Sequence, residues 1–225
     1  MTIDDWGSDG FFFSEAARGG PLTWRPGDPG FRGDALGPVR HVHDGAAEYY
    51  YMVQGAIHVE VGGREFVVGE GELCYIPAAA PHNVLGPASD LEARMLCLVA
   101  PNFADNKWRI DGFEPGSEDL RHALGRPFDD EDLPGDEHVA AEALTLAPGQ
   151  TQTVQLPGRE SVYLVVEGAL DIALHGGLGG CIRPGTYVHV RENMRHVISC
   201  TEPCRIVRFD FSFVPWAGVV LASAD

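Results

Sequence analysis

Four side chains in the first half of this sequence have the types and intervals needed to hold a divalent transition metal: His41, His43, Glu48 and His82. His41 and His43 stand two apart, which puts both imidazoles on one face of a β-strand. A turn-like stretch at 44–47 separates them from Glu48 and resets the strand parity, so a neighbouring strand can bring that carboxylate to the same point. Gly55 closes the segment, and His82 follows two strand-like runs later. An H-x-H pair alone is a weak signal and more often reads as two surface or core histidines. The glutamate, the glycine and the later histidine at these intervals are what point to a metal. Three imidazoles and one carboxylate leave one or two coordination positions open for water, dioxygen or a chelating substrate.

These groups are carried by elements with a short, β-like rhythm. Residues 48–54 form a β-rich run with Tyr49, Tyr50, Tyr51 and Val53, and Gly55 turns the chain into 56–61. Gly62-Gly63 signals a hairpin into 64–68. Residues 73–76 make another strand, a loop at 77–81 delivers His82, and 91–99 is the last strand before Pro101. Such spacing predicts an antiparallel sandwich or barrel. If Glu48 points inward, Tyr50 and Met52 do too, while Tyr49 and Tyr51 point out. Tyr50 is then placed to hold or deprotonate a substrate, with core packing as its plainer role. Ile57, Val59 and Val61 face the apolar interior, and His58 and Glu60 the outside. Trp108 and Arg109, just past this block, suit a lid that stacks on and pairs with an anionic substrate.

The block is built twice. Residues 50–57 match 163–170 at an offset of 113 (Gly55 to Gly168), and 70–82 match 184–196 at 114 (His82 to His196). In the second copy Val154 and Leu156 stand for the two histidines and Ser161 for the glutamate, with Glu160 one place away; only His196 remains. A metal is therefore expected in the first copy only. His189 and His196 are expected as satisfied core histidines.

The quoted residues resemble the two motifs of the cupin superfamily. His41, His43, Glu48 and Gly55 match the first, and Gly71, Pro77 and His82 the second. Ala35 stands where the opening glycine is expected, with Gly33 and Gly37 nearby; Ala79 replaces a loop glycine, and Gly86 the final asparagine. The resemblance implies an all-β fold of two tandem cupin barrels (double-stranded β-helix, jelly-roll) with a short connecting helix. It divides the chain into an arm at 1–36, a metal-bearing barrel at 37–101, an acidic connector at 102–138 and a degenerate barrel at 139–225. It also implies one divalent metal (Fe, Mn, Ni, Cu, Co or Zn) on His41, His43, Glu48 and His82. The activity it suggests is a dioxygenase on a small oxygen-rich substrate, with Glu48 and Tyr50 as catalytic residues and Tyr50, Met52, Trp108 and Arg109 lining the substrate. A redox-neutral isomerase, cyclase or lyase, or a non-enzymatic small-molecule binder, uses the same fold.

Composition narrows the partners. A formal charge of −17 repels nucleic acid and anionic membranes. Part of that charge sits in the run at 129–132, read as a solvated loop. No apolar stretch approaches the roughly 20 residues of a membrane span, and no secretory leader is evident. Five cysteines without a C-x-x-C pair suit a reduced, cytoplasmic protein with thiols as core residues. The Gly- and aromatic-rich arm, with Trp6, Phe11, Phe12, Phe13 and Trp24, is expected to pack along a sheet edge or across a partner, which suggests a homodimer. A short helix expected at 117–124 completes the connector.

Overall fold

Alternating apolar residues broken by glycine turns fold as short antiparallel strands. The computed structural model carries twenty of them, and no α-helix, among the described residues: 2–5, 12–14, 16–27, 40–102, 106–109, 126–127, 138–175, 177 and 179–212. The arm supplies β1 (Thr2–Asp5), β2 (Phe12–Phe13) and β3 (Arg18–Trp24). The first block supplies β4 (His41–Asp44), β5 (Ala47–Gln54), β6 (Ala56–Val61), β7 (Arg64–Gly69), β8 (Glu72–Ile76), β9 (His82–Pro87) and β10 (Ala93–Ala100). Two short strands follow, β11 (Asn106–Arg109) and β12 (Arg126–Pro127). The second block supplies β13 (Val139–Leu146), β14 (Thr151–Val154), β15 (Arg159–Glu167), β16 (Leu170–Leu174), β17 (Gly179–Ile182), β18 (Thr186–Val190), β19 (His196–Ser199) and β20 (Cys204–Ser212). The expected helix at 117–124, the acidic run, Trp6, Phe11 and the start of the first motif at Gly33, Ala35 and Gly37 lie outside the described residues.

Each block is a pair of facing sheets. In the first, β12-β8-β5-β10-β3-β2 faces β11-β4-β9-β6-β7; in the second, β1-β18-β15-β20-β13 faces β14-β19-β16-β17. The repeat extends to irregularities. A bulge skips Val53 between β5 and β10, and the same bulge skips Val166 between β15 and β20. Gly55 and Gly168 both adopt positive φ (70° and 75°), and an added Cβ would meet backbone oxygen at 2.6 Å (Glu92) or 2.2 Å (Pro203). Only glycine fits such a corner, which explains why the turn recurs in both copies.

Strand alternation divides β5 between two cores. Tyr50 and Met52 join Ile57, Val59, Val61, Val84 and Met95 inside the first barrel, and Trp24 of β3 closes that interior. Tyr49 and Tyr51 point the other way, as expected, but they are not solvent-facing. They pack with Leu96, Leu98, Val162, Leu164, Tyr187, Val207, Phe209 and Phe211 in a core between the two blocks. Leu170, Ile172, Ile182, Ile198 and Ile206 fill the second barrel. Glu60 departs from expectation: it is buried rather than an outside polar residue, because Arg40, just before β4, forms an ion pair with it. A buried carboxylate is tolerable only when so paired. The arm runs along sheet edges within the chain: β1 pairs with β18 of the second block, and β3 with β10 of the first.

Candidate metal centre

The centre lies where β4, β9 and β5 meet inside the first barrel. β4 presents His41 and His43 on one face, and β9 places His82 directly opposite His41. Glu48 comes from β5 in the facing sheet. The rings of His41 and His82 have centroids 4.3 Å apart, those of His41 and His43 5.1 Å, and those of His43 and His82 5.3 Å. One ligating atom from each of the four residues falls within 4.8 Å of every other, and all four residues are buried. The loop that delivers His82 is tied back to β4, where the Ala79 N–H donates to the His43 carbonyl at 2.8 Å.

The protonation pattern shows what the cluster is built to hold. His82 Nδ1–H donates to the Ala80 carbonyl at 2.8 Å, which leaves the Nε2 lone pair pointing at Glu48 Oε2, 2.6 Å away. Two acceptors at that distance need a cation shared between them, either a proton on the ring or a metal ion. His43 Nε2 approaches the same oxygen at 3.1 Å. Burial works to raise the pKa of Glu48, yet hydrogen bonds and charge from His43 and His82 hold it well below the usual carboxylate range. An ionised carboxylate and three imidazoles with a dry apolar floor fit a divalent transition metal.

Tyr50 stands one row deeper, fully buried; burial and the neighbouring Glu48 charge push its phenol well above 10 and keep it protonated. Its hydroxyl makes no well-formed hydrogen bond among the described residues. Met52, deeper still, is fully buried in apolar packing. Residues 106–109, which include the Trp108 and Arg109 expected as a lid, run as β11 against β4, with Arg109 opposite His41 and Trp108 opposite Val42. The edge of β4 offers unpaired backbone groups, and this segment takes them.

Three residues near the site escaped the sequence reading. Cys97 on β10 donates its thiol to Glu48 Oε1 at 3.0 Å. Lys107, the chain's one lysine, is opposite His43. Arg18 is opposite Val99, which is opposite Glu48, so it shares the inward face; it donates to Asn102 Oδ1 at 2.8 Å. For Lys107, rarity was a usable signal. For Cys97 and Arg18 the relation exists only through cross-strand register.

The second barrel shows the same positions with the chemistry replaced. His196 Nδ1–H donates to the Met194 carbonyl at 2.9 Å, as His82 does to Ala80, but its Nε2 accepts from the Tyr163 hydroxyl at 2.6 Å. Tyr163 is the counterpart of Tyr50. Ser161, the counterpart of Glu48, donates to Asp210 at 2.6 Å. His189 pairs with Glu160 at 2.7 Å on the outer face.

A family model described as "Cupin domain" matches residues 31–99. Among solved structures, a point mutant of salicylate 1,2-dioxygenase from Pseudoaminobacter salicylatoxidans superposes with a TM-score of 0.70 at 14% identity, covering 88% of this chain and 71% of that one. Another structure of that dioxygenase, an adduct with gentisate, gives 0.67 at 14% identity over 88% and 69%. An oxalate decarboxylase gives 0.56 at 16% identity over 94% and 77%. No curated protein matches the sequence. At these identities the structural likenesses establish a shared fold.

Proposed function

From the premise that this chain belongs to the cupin superfamily, we propose that it is a metal-dependent dioxygenase acting on a small, oxygen-rich organic substrate at the first barrel's His41, His43, Glu48 and His82. The observation that carries this reading is the buried convergence of three imidazoles on one ionised carboxylate. The fold likeness to salicylate 1,2-dioxygenase supports it. When bound, a redox-active ion at these four residues supplies dioxygen activation and Lewis acidity.

The protein's own groups then bind and orient. Glu48 remains anionic and so offers charge to the ion rather than a proton. Tyr50, protonated and buried beside Glu48, is a hydrogen-bond donor for an anionic substrate oxygen. Met52 forms part of the apolar floor that excludes water. Arg109 and Lys107 stand in register with the ligands His41 and His43, and Arg18 shares the inward face of the other sheet, which favours an acidic substrate; Trp108 is in register with Val42, between the two ligands, and is the weaker of the two expected lid residues. The proposed homodimer loses one of its supports, since the arm pairs within the chain; open sheet edges such as β7 remain.

The test is metal analysis of protein purified without added metal, then reconstitution with Fe(II), Mn(II) or Ni(II) and an oxygen-uptake screen against 2-hydroxybenzoates and enolisable ketones. Metal-dependent oxygen uptake with a ring- or C–C-cleaved product is expected, and His82→Ala should abolish both metal and uptake. Turnover under strict anoxia would instead favour an isomerase, cyclase or lyase, and chelate binding without any product a non-enzymatic binder.

A further inference from the structure

We infer that Cys97 is a positioning residue: its thiol holds one oxygen of Glu48, so that the carboxylate offers only the other oxygen to a metal. This rests on the metal reading above and concerns how the shell is kept open. The two oxygens of Glu48 have separate partners. Oε2 faces His82 Nε2 at 2.6 Å and His43 Nε2 at 3.1 Å, on the side where the imidazoles converge. Oε1, the other oxygen, accepts from Cys97 Sγ at 3.0 Å. A carboxylate fixed in this way is a one-oxygen ligand. With three imidazoles it fills four positions, and an ion that prefers six keeps two for a chelating substrate.

The second barrel acts as an internal comparison. Cys97 lies opposite Tyr50, and Arg208 lies opposite Tyr163, so Arg208 occupies the Cys97 position. There the side chain also holds a carboxylate: Arg208 Nε lies 3.0 Å from Asp210 Oδ2. Where no residue of the four-ligand set stands alongside, an arginine paired with a carboxylate occupies this position. Where Glu48 is a ligand, a thiol stands there, a weak donor that orients the carboxylate without neutralising it.

Cys97 also packs partly against the barrel interior, so orientation must be separated from packing. Full-length Cys97→Ser, Cys97→Val and Cys97→Ala variants are stripped of metal, checked for fold by thermal unfolding, and titrated with Co(II) while the visible absorption is followed. The serine variant, which keeps a donor, is expected within about 3-fold of wild-type affinity. The valine and alanine variants are expected to bind roughly 10–100-fold more weakly. They should also show a weaker visible band, because a second carboxylate oxygen is released to the ion and coordination rises. A packing role gives the reverse ranking, with valine nearest wild type and serine worst, and that result overturns the inference. Unchanged affinity and band in all three overturn it as well. Should the valine variant fail to fold, the alanine and serine pair decides. Wild-type protein that takes up no Co(II) removes the metal reading and this inference together; uptake by wild type with indifferent variants removes only this one.

Discussion

At the scale of single residues, Ala79 is the position where this chain departs from its motif and bears the cost. It holds φ at 62°, the left-handed region, in the loop between β8 and β9, and its N–H ties that loop to His43. Its counterpart Asn193 has φ 60°, and its side chain accepts from the Gly158 N–H at 3.1 Å, a compensation alanine cannot make. A left-handed alanine costs about 1–2 kcal/mol. The extra freedom of glycine in the unfolded chain returns about 0.4–1 kcal/mol of that. Ala79→Gly is therefore expected to raise stability by about 0.5–1 kcal/mol, read as a higher urea midpoint. The missing glycine was visible in the sequence. That the loop keeps its shape regardless was not, because the restraint comes from a hydrogen bond to another strand. The ligands were legible for the opposite reason: His41, His43 and Glu48 are close in sequence and obey strand periodicity. Cys97 belongs to the same site but is 49 residues from Glu48, and nothing local marks it.

At the scale of elements, β15, β18 and the arm meet at a buried ion pair. His189 Nε2 lies 2.7 Å from Glu160 Oε2, and Phe12 of β2 stacks on the His189 ring with centroids 4.3 Å apart. Burial works to raise the pKa of Glu160, but hydrogen bonds from His189 and Ser14 and the charges of His189 and Arg191 bring it below 4.5. A carboxylate with a depressed folded pKa contributes stability that is present above its unfolded value and is lost as pH falls through the folded one. Glu160→Gln is expected to cost about 1–3 kcal/mol at neutral pH and progressively less as acidification below 4.5 protonates the carboxylate of the wild type. Chemical denaturation of wild type and variant across that range checks it, and a cost independent of pH would refute it. Element positions were readable from turn glycines and alternation. The partner strand of the arm was not, since an edge strand carries no sequence signal for which edge it will cover.

At the scale of the whole molecule, the two blocks share a core. Tyr49 and Phe209 have ring centroids 5.6 Å apart across the interface, and both are fully buried. The alternation of β5 showed which tyrosines leave the barrel interior, but one sequence could not say that a second sheet receives them. Phe209→Ala is expected to cost about 3–5 kcal/mol. The loss should appear in the first barrel as much as the second: unfolding followed by fluorescence and by release of bound Co(II) should shift together in one transition. Separate transitions, with the metal held past the fluorescence change, would show that the barrels are energetically independent.

The pairing of β1 with β18 has a consequence for how the chain comes to be folded. Thr2 lies opposite His189, so β1 is made well before the strand it pairs with. The first barrel can assemble from nearby strands while synthesis continues. The edge of the second is covered only once β18 has been made, and this closure has the longest sequence separation of any described strand pair. An alteration in β1 would thus be felt first in the second barrel, whose sheet edge it covers, and not in the first, where His41, His43, Glu48 and His82 meet.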